Sequence, residues 1–497
     1  MYRLLETIPG LLAWGTLMGL ALLALYAPFA AAVFIILFDI YWLLKTIYLS
    51  LHLRSTFKRM RRNLEIDWLQ KIKTEYPDQW QAIYHLVIFP MHREPYEVVR
   101  ESFVAVAQSN YPLDKVILVL AGEEQTPEAP EVAQKIKQEF GSAFFKFLIT
   151  RHPKDIPGEL PGKGSNETYA AREAKNLIID RLGIPYENIL VSVFDIDTQV
   201  APEYFGILTH HFFAAPRPLR SSYQPIPLFV NNIFSAPALA RVIAFSASFW
   251  QMIQQSRPER LTTFSSHAMP FNALVEVGFW QTNVVSEDSR IFWQCLLHYH
   301  GDWRVVPLFY PLSMDASVAL TFWGTMKNIY RQQRRWGWGA ENVPYLVYGF
   351  LRSRAIPFRT KLYWIFHTTE GYHSWATNSF IIFIMGWLPI LLGGTAFQVS
   401  TLSYNLPPLL RNIMNASMVG IASSAVLSIL LLPPKPAWFR PRHYALYAVQ
   451  WLLIPLTLIV FGALPALEAQ TRLMLGGRWR LGFWATPKFR HPRQNHL

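Results

Sequence analysis

The sequence has little charge and almost no cysteine. Its 497 residues include one cysteine, Cys295, which excludes an internal disulfide and any zinc site built from a cluster of cysteines. Charged residues make up 16% and hydrophobic residues 52%, whereas an ordinary soluble domain is about 25% charged. This balance excludes a disordered chain and argues against a wholly soluble globule. At about 150 residues per domain, the length predicts about three structural units.

The N-terminus carries the longest apolar run, residues 8–53, with only two charged side chains inside it. About 20 apolar residues cross a bilayer, so the run is long enough for two spans with Pro28 at the turn. A secretory signal is the alternative, because residues 27–32 are rich in alanine, but signal peptides have a shorter apolar core. We therefore predict a transmembrane hairpin over 1–53.

Five bases follow this run with no acid among them: Arg54, Lys58, Arg59, Arg61 and Arg62. Bases next to a span are typical of the cytoplasmic side. The net charge of +13 is concentrated beside the apolar runs, which disfavours a nucleic-acid-binding protein.

The rest of the chain divides into four parts by composition. Residues 54–345 have short apolar runs and scattered charges, as in a water-soluble domain, and residues 346–371 predict interface helices. A C-terminal transmembrane region, 372–467, contains apolar runs at about 372–394, 412–432 and 443–467, and a basic tail covers 468–497.

These three apolar runs conflict with the tail. Three spans after a cytoplasmic domain place the C-terminus outside, whereas six bases and no acid after Glu468 place it inside. Residues 355–371 would resolve the conflict as a fourth span, and 443–467, broken by Pro455 and Pro465, would resolve it by dipping into the bilayer and returning. An amphipathic C-terminal segment on the outside is the third possibility.

The soluble part predicts an α/β fold. Its apolar runs at 83–89, 116–120, 144–150 and 189–194 read as strands, and helical patterns lie between them at 95–109, 128–140 and 166–182. Alternating strands and helices favour a mostly parallel sheet, whose ligands bind at the carboxyl ends of the strands.

Asp195 and Asp197 directly follow the fourth apolar run. Two carboxylates two residues apart at a strand end suit Mg²⁺ or Mn²⁺, and such an ion would neutralise a diphosphate. A plain turn using aspartate is the alternative interpretation.

Glu287 and Asp288 follow Ser286 at the start of a helical pattern. Acids there are favoured by the helix dipole and a serine is a common cap, so capping alone explains the pattern. The functional alternative is a general base at the mouth of the same cleft.

Gln332, Arg335 and Trp336 share one helix face at spacings of three and four residues. A guanidinium fork binds phosphate and an indole ring stacks on a sugar. An interfacial helix is the alternative, since tryptophan and arginine are enriched there.

Lys163 lies in a glycine-rich loop before a helix, which suits phosphate, although the spacing is not that of a P-loop.

Taken in order, these residues resemble the membrane-integrated family 2 glycosyltransferases, the cellulose-, chitin- and hyaluronan-synthase-like enzymes. The resemblance runs from about Ile83 to Trp338, and the flanking apolar runs fit it. It implies a nucleotide-binding GT-A domain on the cytoplasmic side of the cell membrane, inserted between transmembrane helices. It also implies a nucleoside-diphosphate sugar, predicted to be a UDP-sugar, as donor, and Mg²⁺ or Mn²⁺ as cofactor.

The resemblance assigns roles residue by residue. Pro90, His92 and Glu94 stand in the first-strand motif, and Lys163 in the Gly-Lys motif. Where the family has an aspartate after the second strand, this chain has Ala-Gly-Glu-Glu, and Glu123 is the substitute we predict for binding the nucleotide. Asp195 and Asp197 match the metal- and diphosphate-binding DxD.

The remaining motifs of the family concern the base and the acceptor. Asp288, beside Glu287, matches the catalytic base of the Thr-Glu-Asp motif, with Ser286 replacing threonine. Gln332, Arg335 and Trp336 match QxxRW, in which Arg335 would bind the diphosphate while Gln332 and Trp336 bind the acceptor.

The implied activity is inverting transfer of a sugar to a growing polysaccharide, with possible coupling to export. One carboxylate base and one displacement imply inversion, because retention needs a second carboxylate as nucleophile. A non-processive transferase acting on a lipid or short acceptor is one alternative. The other is a polytopic transporter with a nucleotide-sensing domain, for which an ionisable path would be formed by Asp39, Lys45, His367, Glu370 and His373.

Overall fold

A computed structural model describes residues 1–489. Arg490 and Arg493, two of the bases that predict a cytoplasmic tail, lie outside the described residues. Within the described part, the chain folds into an α/β domain preceded and followed by long apolar helices.

Eight strands lie within residues 1–489: β1 Tyr84–Pro90, β2 Val116–Glu123, β3 Lys146–His152, β4 Ile189–Val193, β5 Gln199–Val200, β6 Ser221–Phe229, β7 Ala268–Pro270 and β8 Arg304–Met314. They form one sheet in the order β3-β2-β1-β4-β7-β6-β8-β5. The four apolar runs of the sequence correspond to β1–β4, which are parallel to one another, so the α/β prediction is confirmed. The other half is mixed, because β7 joins β4 and β6 antiparallel.

Helices precede, flank and follow this sheet. Before it are α1 Tyr2–Leu5, α2 Ile8–Tyr26, α3 Pro28–Leu64 and α4 Trp68–Glu75. The domain contains α5 Tyr96–Ala107, α6 Ala129–Phe140, α7 Lys163–Ala174, α8 Asp180–Leu182, α9 Tyr204–Ala214, α10 Ala238–Gln255, α11 Phe271–Glu276, α12 Glu287–His298, α13 Phe322–Gly337 and α14 Asn342–Arg352. After it come α15 Phe358–Phe383, α16 Leu388–Leu392, α17 Gly394–Gln398, α18 Thr401–Leu430, α19 Pro441–Val449, α20 Ile454–Leu456 and α21 Leu464–Leu475.

Two apolar cores cover the two faces of the sheet. Every residue of β2 is buried, as expected for a parallel strand covered on both sides. On one face, side chains of α5, α6 and α9 pack on the strands, with the rings of Phe89 and Phe103 5.2 Å apart. On the other face, α7, α12 and α14 bury Ala170, Ile291 and Leu346 against the sheet. The sheet is therefore held rigidly beneath the loops at its carboxyl edge.

The N-terminal apolar run forms the two helices of the predicted hairpin. Ala27 separates α2 from α3, and Pro28 is the first residue of α3, where its missing N–H costs no helical hydrogen bond. The second helix does not end near residue 53. The whole helix has 37 residues and ends at Leu64, which corresponds to a length of about 55 Å at 1.5 Å per residue. The basic run 54–62 is therefore part of the same helix and extends it beyond a bilayer core of about 30 Å.

Within residues 1–489, four helical segments are long and apolar enough to cross a membrane: 2–26, 28–64, 401–430 and 441–475. A fifth candidate is α15, which continues after a 48° bend to Leu392. Because α15 begins at Phe358, the ionisable stretch 355–371 does not form a span of its own but is the first half of a single helix.

The segment 441–475 packs on the α/β domain at both ends. Near its start, Gln450 accepts a 2.7 Å hydrogen bond from Arg241, and Trp451 stacks on Phe249 at 5.6 Å. Near its end, Glu468 accepts a 2.7 Å bond from Arg334. Its middle also packs on the domain, where Phe461 is buried with Ala240 and Met326, and the described part of the tail lies beside the domain.

Candidate active site

Polar side chains predicted from three distant parts of the sequence meet around one lysine. Lys163, the first residue of α7, places its Nζ 2.9 Å from Oδ1 of Asp195, which follows β4. The same Nζ donates to both carboxylate oxygens of Asp288 at 2.8 Å, and Oε1 of Glu287 lies at 3.9 Å. The start of α12, the loop after β4 and the start of α7 thus converge on one buried ammonium.

The charges in this group determine its protonation. Burial alone would lower the pKa of Lys163, but the carboxylates of Asp195 and Asp288 outweigh it and raise that pKa well above its usual value. Burial would raise the pKa of Asp195, but Lys163 and Lys488 hold it below the ordinary range. Burial, together with the charge of Asp288, raises the pKa of Glu287 to about 8. Lys163 and Asp195 are therefore an ion pair at neutral pH, whereas Glu287 keeps its proton.

The start of α12 is not held by a serine cap. Ser286 makes no capping bond; its hydroxyl instead donates to Oε1 of Glu341 at 2.7 Å, and Glu341 also accepts from the indole of Trp338 at 2.9 Å. Capping by Ser286 does not account for the acids at this position. Glu341, which the sequence did not indicate, positions the turn that carries Glu287 and Asp288.

Asp197 lies at the bottom of the cleft and is fully buried. Its Oδ2 accepts a 2.8 Å bond from the backbone of Asp315, while its Oδ1 is buried without a hydrogen-bond partner. Asp195 accepts a bond from Ser265 at 2.8 Å. Among residues 1–489 no group of three metal-binding side chains occurs. An orphaned carboxylate oxygen beside a second carboxylate fits Mg²⁺ or Mn²⁺, which commonly takes one or two carboxylates and completes its shell with substrate phosphates and water.

The first-strand residues form a separate group at the rim of the sheet. Glu94 accepts a 2.7 Å bond from the backbone N–H of His92, and Nδ1 of His92 lies 3.3 Å from Oε2 of Glu123. The hydrogen bond to Glu123 raises the pKa of His92. Pro90 ends β1, directly before this group.

Beside Glu123 lies a cavity of about 280 Å³, lined also by Gln125, His152, Glu159 and Gly162. Its walls present carboxylate and amide oxygens together with imidazole and amide nitrogens. These groups are suited to form hydrogen bonds with a flat heterocycle or a ribose. Gly162, which lines the cavity, directly precedes Lys163 in the chain.

Helix α13 supplies the third predicted group. Trp336 packs on Phe229 at 6.0 Å and on Phe264 at 5.8 Å, and together with Gln332 it lines a narrow cavity walled by Ala240 and Ala244 of α10. Nε of Arg335 is buried without a partner. The helix therefore presents an indole, an amide and a guanidinium, and within residues 1–489 no hydrogen bond or ion pair joins Arg335 or Trp336 to Asp288.

The sequence prediction missed the contribution of the tail. After α21, the chain returns to the cleft, where Nζ of Lys488 lies 2.6 Å from Oδ2 of Asp197. The ring of Phe483 lies against Gly162, where a Cβ would overlap it, and 5.3 Å from the guanidinium of Arg335. The part of the tail after α21 has no helical or strand periodicity, and the sequence prediction treats its bases only as a membrane flank.

Comparison with known proteins gives remote likenesses only. No protein-family model matches the sequence, and no curated protein matches it. Among solved structures, the mannosyltransferase PcManGT from Pyrobaculum calidifontis in complex with GDP-Man and Mn²⁺ aligns at a TM-score of 0.40 with 12% identity, covering 83% of this chain and 99% of that one. TarS 1–349 from S. aureus with UDP-GlcNAc aligns at a TM-score of 0.38 with 12% identity, covering 76% and 91%. Likenesses this remote do not identify a substrate or a mechanism.

Proposed function

We propose that this chain is a membrane-integrated glycosyltransferase of the family 2, GT-A type. It would transfer a sugar from a nucleoside-diphosphate sugar, a UDP-sugar in our prediction, to a growing polysaccharide with inversion of configuration. The observation that carries the proposal is the convergence of Asp195 and Asp288 on the ammonium of Lys163. It joins, within hydrogen-bond distance, residues that the sequence separates by up to 125 positions and that a diphosphate-leaving reaction requires.

The donor would bind between the rim cavity and this ammonium. The cavity beside Glu123 would hold the nucleoside, with Pro90, His92 and Glu94 at its edge, and the diphosphate would extend past Gly162 toward Lys163. As the phosphates enter, they would replace Asp288 as a partner of Lys163, which frees the carboxylate. Arg335 has an orphaned guanidinium nitrogen and would supply a second positive charge to the leaving group.

Asp195 and Asp197 would hold Mg²⁺ or Mn²⁺ against the diphosphate. The ion would supply Lewis-acid stabilisation of the negative charge that develops on the leaving group. The chain's own part is to present two oriented carboxylates, one through Ser265 and one through the backbone of Asp315.

Asp288, once released, would accept the proton of the attacking acceptor hydroxyl. Glu287 is buried and protonated beside it, so it adds no second negative charge and cannot compete for the same proton. Trp336, with Gln332, would form the platform for the acceptor sugar. A single displacement at the anomeric carbon inverts its configuration, and positioning would provide much of the catalysis.

The apolar helices would anchor the enzyme in the cell membrane with the α/β domain in the cytoplasm and would link synthesis to export. A second candidate is transfer to a lipid or short acceptor. The small cavity beside Trp336 has apolar walls at Ala240, Ile243 and Ala244, and polar ones at Ser317, Gln332 and Gln333.

The test is a transfer assay with the purified full-length protein and a panel of radiolabelled UDP- and GDP-sugars in the presence of Mg²⁺ or Mn²⁺. We expect one donor to give label in a product, and its length on a gel separates a polymer from a single addition. Nucleotide-sugar binding without transfer, or flux of a solute without consumption of nucleotide sugar, would contradict the proposal and favour a transporter.

A further inference from the structure

A buried arginine without an acidic partner lies where the α/β domain meets the long apolar helices. Arg257, in the turn after α10, is only 7% exposed, and its Nε is buried without a hydrogen-bond partner. Among residues 1–489, no carboxylate oxygen lies within 4 Å of its guanidinium, whose nearest recorded aromatic contact is Tyr48 of α3 at 5.8 Å. A buried charge is costly unless it is paired, so this position calls for an anion.

Three more nitrogen-bearing side chains surround the same turn. Nη2 of Arg260 lies 3.2 Å from Nε2 of His367 on α15, and the other ring nitrogen of His367 is buried without a partner. On the opposite side, Nδ1 of His52 on α3 lies 2.7 Å from the hydroxyl of Ser256. Arg257, Arg260, His52 and His367 are called the basic cluster below.

Two acids lie near the basic cluster, Glu259 and Glu370, but within residues 1–489 neither forms an ion pair with Arg257 or Arg260. The carboxylate one turn beyond His367 is Glu370, which already pairs with Lys45 at 3.1 Å. The side chain of Glu259 lies in the same turn but is exposed, and its contact with α15 is through the backbone carbonyl, which accepts from Tyr363 at 3.0 Å. The charge of the Glu259 carboxylate acts on His52 and His367 and offsets one of the two guanidinium charges, so the cluster keeps the net positive charge of the other.

Exposed apolar side chains border the cluster on both long helices. Leu51 of α3 is 63% exposed, and Leu362 and Phe366 of α15 are 51% and 64% exposed. Leu362 and Phe366 directly precede Tyr363 and His367 in the sequence, so apolar side chains adjoin polar ring side chains on the same helix. Tyr48 and Tyr363 belong to a residue type that is enriched at the depth of the lipid headgroups.

We propose that the basic cluster binds the phosphate of an anionic phospholipid, with the acyl chains lying along Leu51, Leu362 and Phe366. The two guanidinium forks suit phosphate oxygens, and basic pockets between helices at the membrane boundary are a known type of lipid headgroup site. The apolar border favours a lipid over free phosphate, because a soluble anion would gain nothing from it. This site is separate from the proposed transfer reaction and does not depend on it.

The test is lipid binding by the full-length protein, measured by native mass spectrometry in detergent with added phosphatidylglycerol or phosphatidylcholine. We expect phosphatidylglycerol to remain bound to the wild type, and Arg257→Gln and Arg260→Gln each to lower its occupancy about tenfold. Arg354→Gln removes an exposed arginine from the nearby loop after α14 and should leave occupancy unchanged.

A thermal unfolding scan accompanies each variant, so that a misfolded protein is recognised, and the half-buried Arg260 provides the test if Arg257→Gln does not fold. In the same scan, phosphatidylglycerol should raise the melting temperature of the wild type more than that of Arg260→Gln. Equal retention of phosphatidylcholine, equal occupancy in Arg260→Gln and wild type, or displacement of the lipid by millimolar inorganic phosphate would overturn the proposal.

Discussion

The ammonium of Lys488 lies 2.6 Å from Oδ2 of Asp197, although 291 residues separate the two in the chain. Burial would lower the pKa of Lys488, but the carboxylates of Asp197 and Asp195 outweigh it and raise that pKa, so the lysine is charged. A cation of the protein itself therefore contacts one of the two carboxylates that we propose for a metal ion. If Asp197 holds a divalent cation, the tail and that cation would share its carboxylate.

This contact predicts competition between Lys488 and the metal. Removing the ammonium in Lys488→Gln leaves Asp197 with uncompensated charge, so Mn²⁺ should bind about tenfold more tightly in the absence of nucleotide. The measurement is a Mn²⁺ titration followed by electron paramagnetic resonance. Lys137→Gln, an exposed lysine of α6, is the control. Unchanged or weaker Mn²⁺ binding in Lys488→Gln would show that the two cations do not compete.

Removing the metal should stop the reaction. If Asp195 and Asp197 hold an ion that stabilises the leaving diphosphate, an excess of EDTA should abolish transfer, and added Mn²⁺ or Mg²⁺ should restore it. Asp197→Asn should raise the metal concentration needed for half-maximal activity. Undiminished activity of the wild type in metal-free buffer would exclude this role.

The buried carboxyl of Glu287 predicts a pH-dependent stability. Its folded pKa of about 8 lies above the ordinary value of 4.5, so above pH 4.5 the unfolded chain releases a proton that the folded chain keeps, and wild-type stability falls as pH rises toward 8. Glu287→Gln cannot titrate. The quantity to compare is the melting temperature of the variant minus that of the wild type. We expect this difference to be at least about 3 °C larger at pH 8 than at pH 5.

The matched control for Glu287 is Glu97→Gln, an exposed glutamate of α5, which should show no such change between the two pH values. If the difference in melting temperature between Glu287→Gln and the wild type is the same at both pH values, Glu287 is ionised in the fold. The same variant should also retain transfer activity, because the amide reproduces a neutral carboxyl.

The platform role of Trp336 predicts a selective loss of acceptor binding. Trp336→Ala should raise the KM for the acceptor about tenfold, in line with the energy of a ring that stacks on a sugar, and leave the KM for the donor within about twofold. Trp323→Ala removes a tryptophan from the same helix that is 78% exposed and should change neither. If both constants changed together in Trp336→Ala, the indole would be supporting the fold rather than the acceptor.

The sequence predicted the parallel half of the sheet but not the mixed half. Strands β1, β2 and β4 are buried apolar runs without interior proline, and β3 is a partly buried edge strand that also lacks proline. Strand β6 contains Pro225 and Pro227, and β8 contains Pro307 and Pro311; proline argues against a central strand, so these segments gave no strand prediction. They pair because the sheet supplies partners that local sequence does not reveal.

The candidate site divides in the same way. The ion pairs of Lys163 with Asp195 and Asp288 bring together residues singled out from the sequence, as expected where strand ends and helix starts meet at one edge of a parallel sheet, and their roles stay predictions. Lys488 and Glu341 were missed because each reaches the site through contacts distant in sequence and without periodicity. The three topologies open for the C-terminal region, including the dip and return of 443–467, stay predictions, since hydropathy measures length and not direction.

The most direct test of the account is the Asp288→Asn variant. It removes the proposed proton acceptor and keeps the side chain's size, while Asp302→Asn, which affects a surface ion pair with Arg217, serves as the control. Transfer rate and nucleotide-sugar binding are measured on the same protein. We predict a rate at least about 100-fold below wild type, a donor Kd within about threefold of wild type, and a control that behaves as wild type; a variant that keeps more than about a tenth of the wild-type rate would contradict the account.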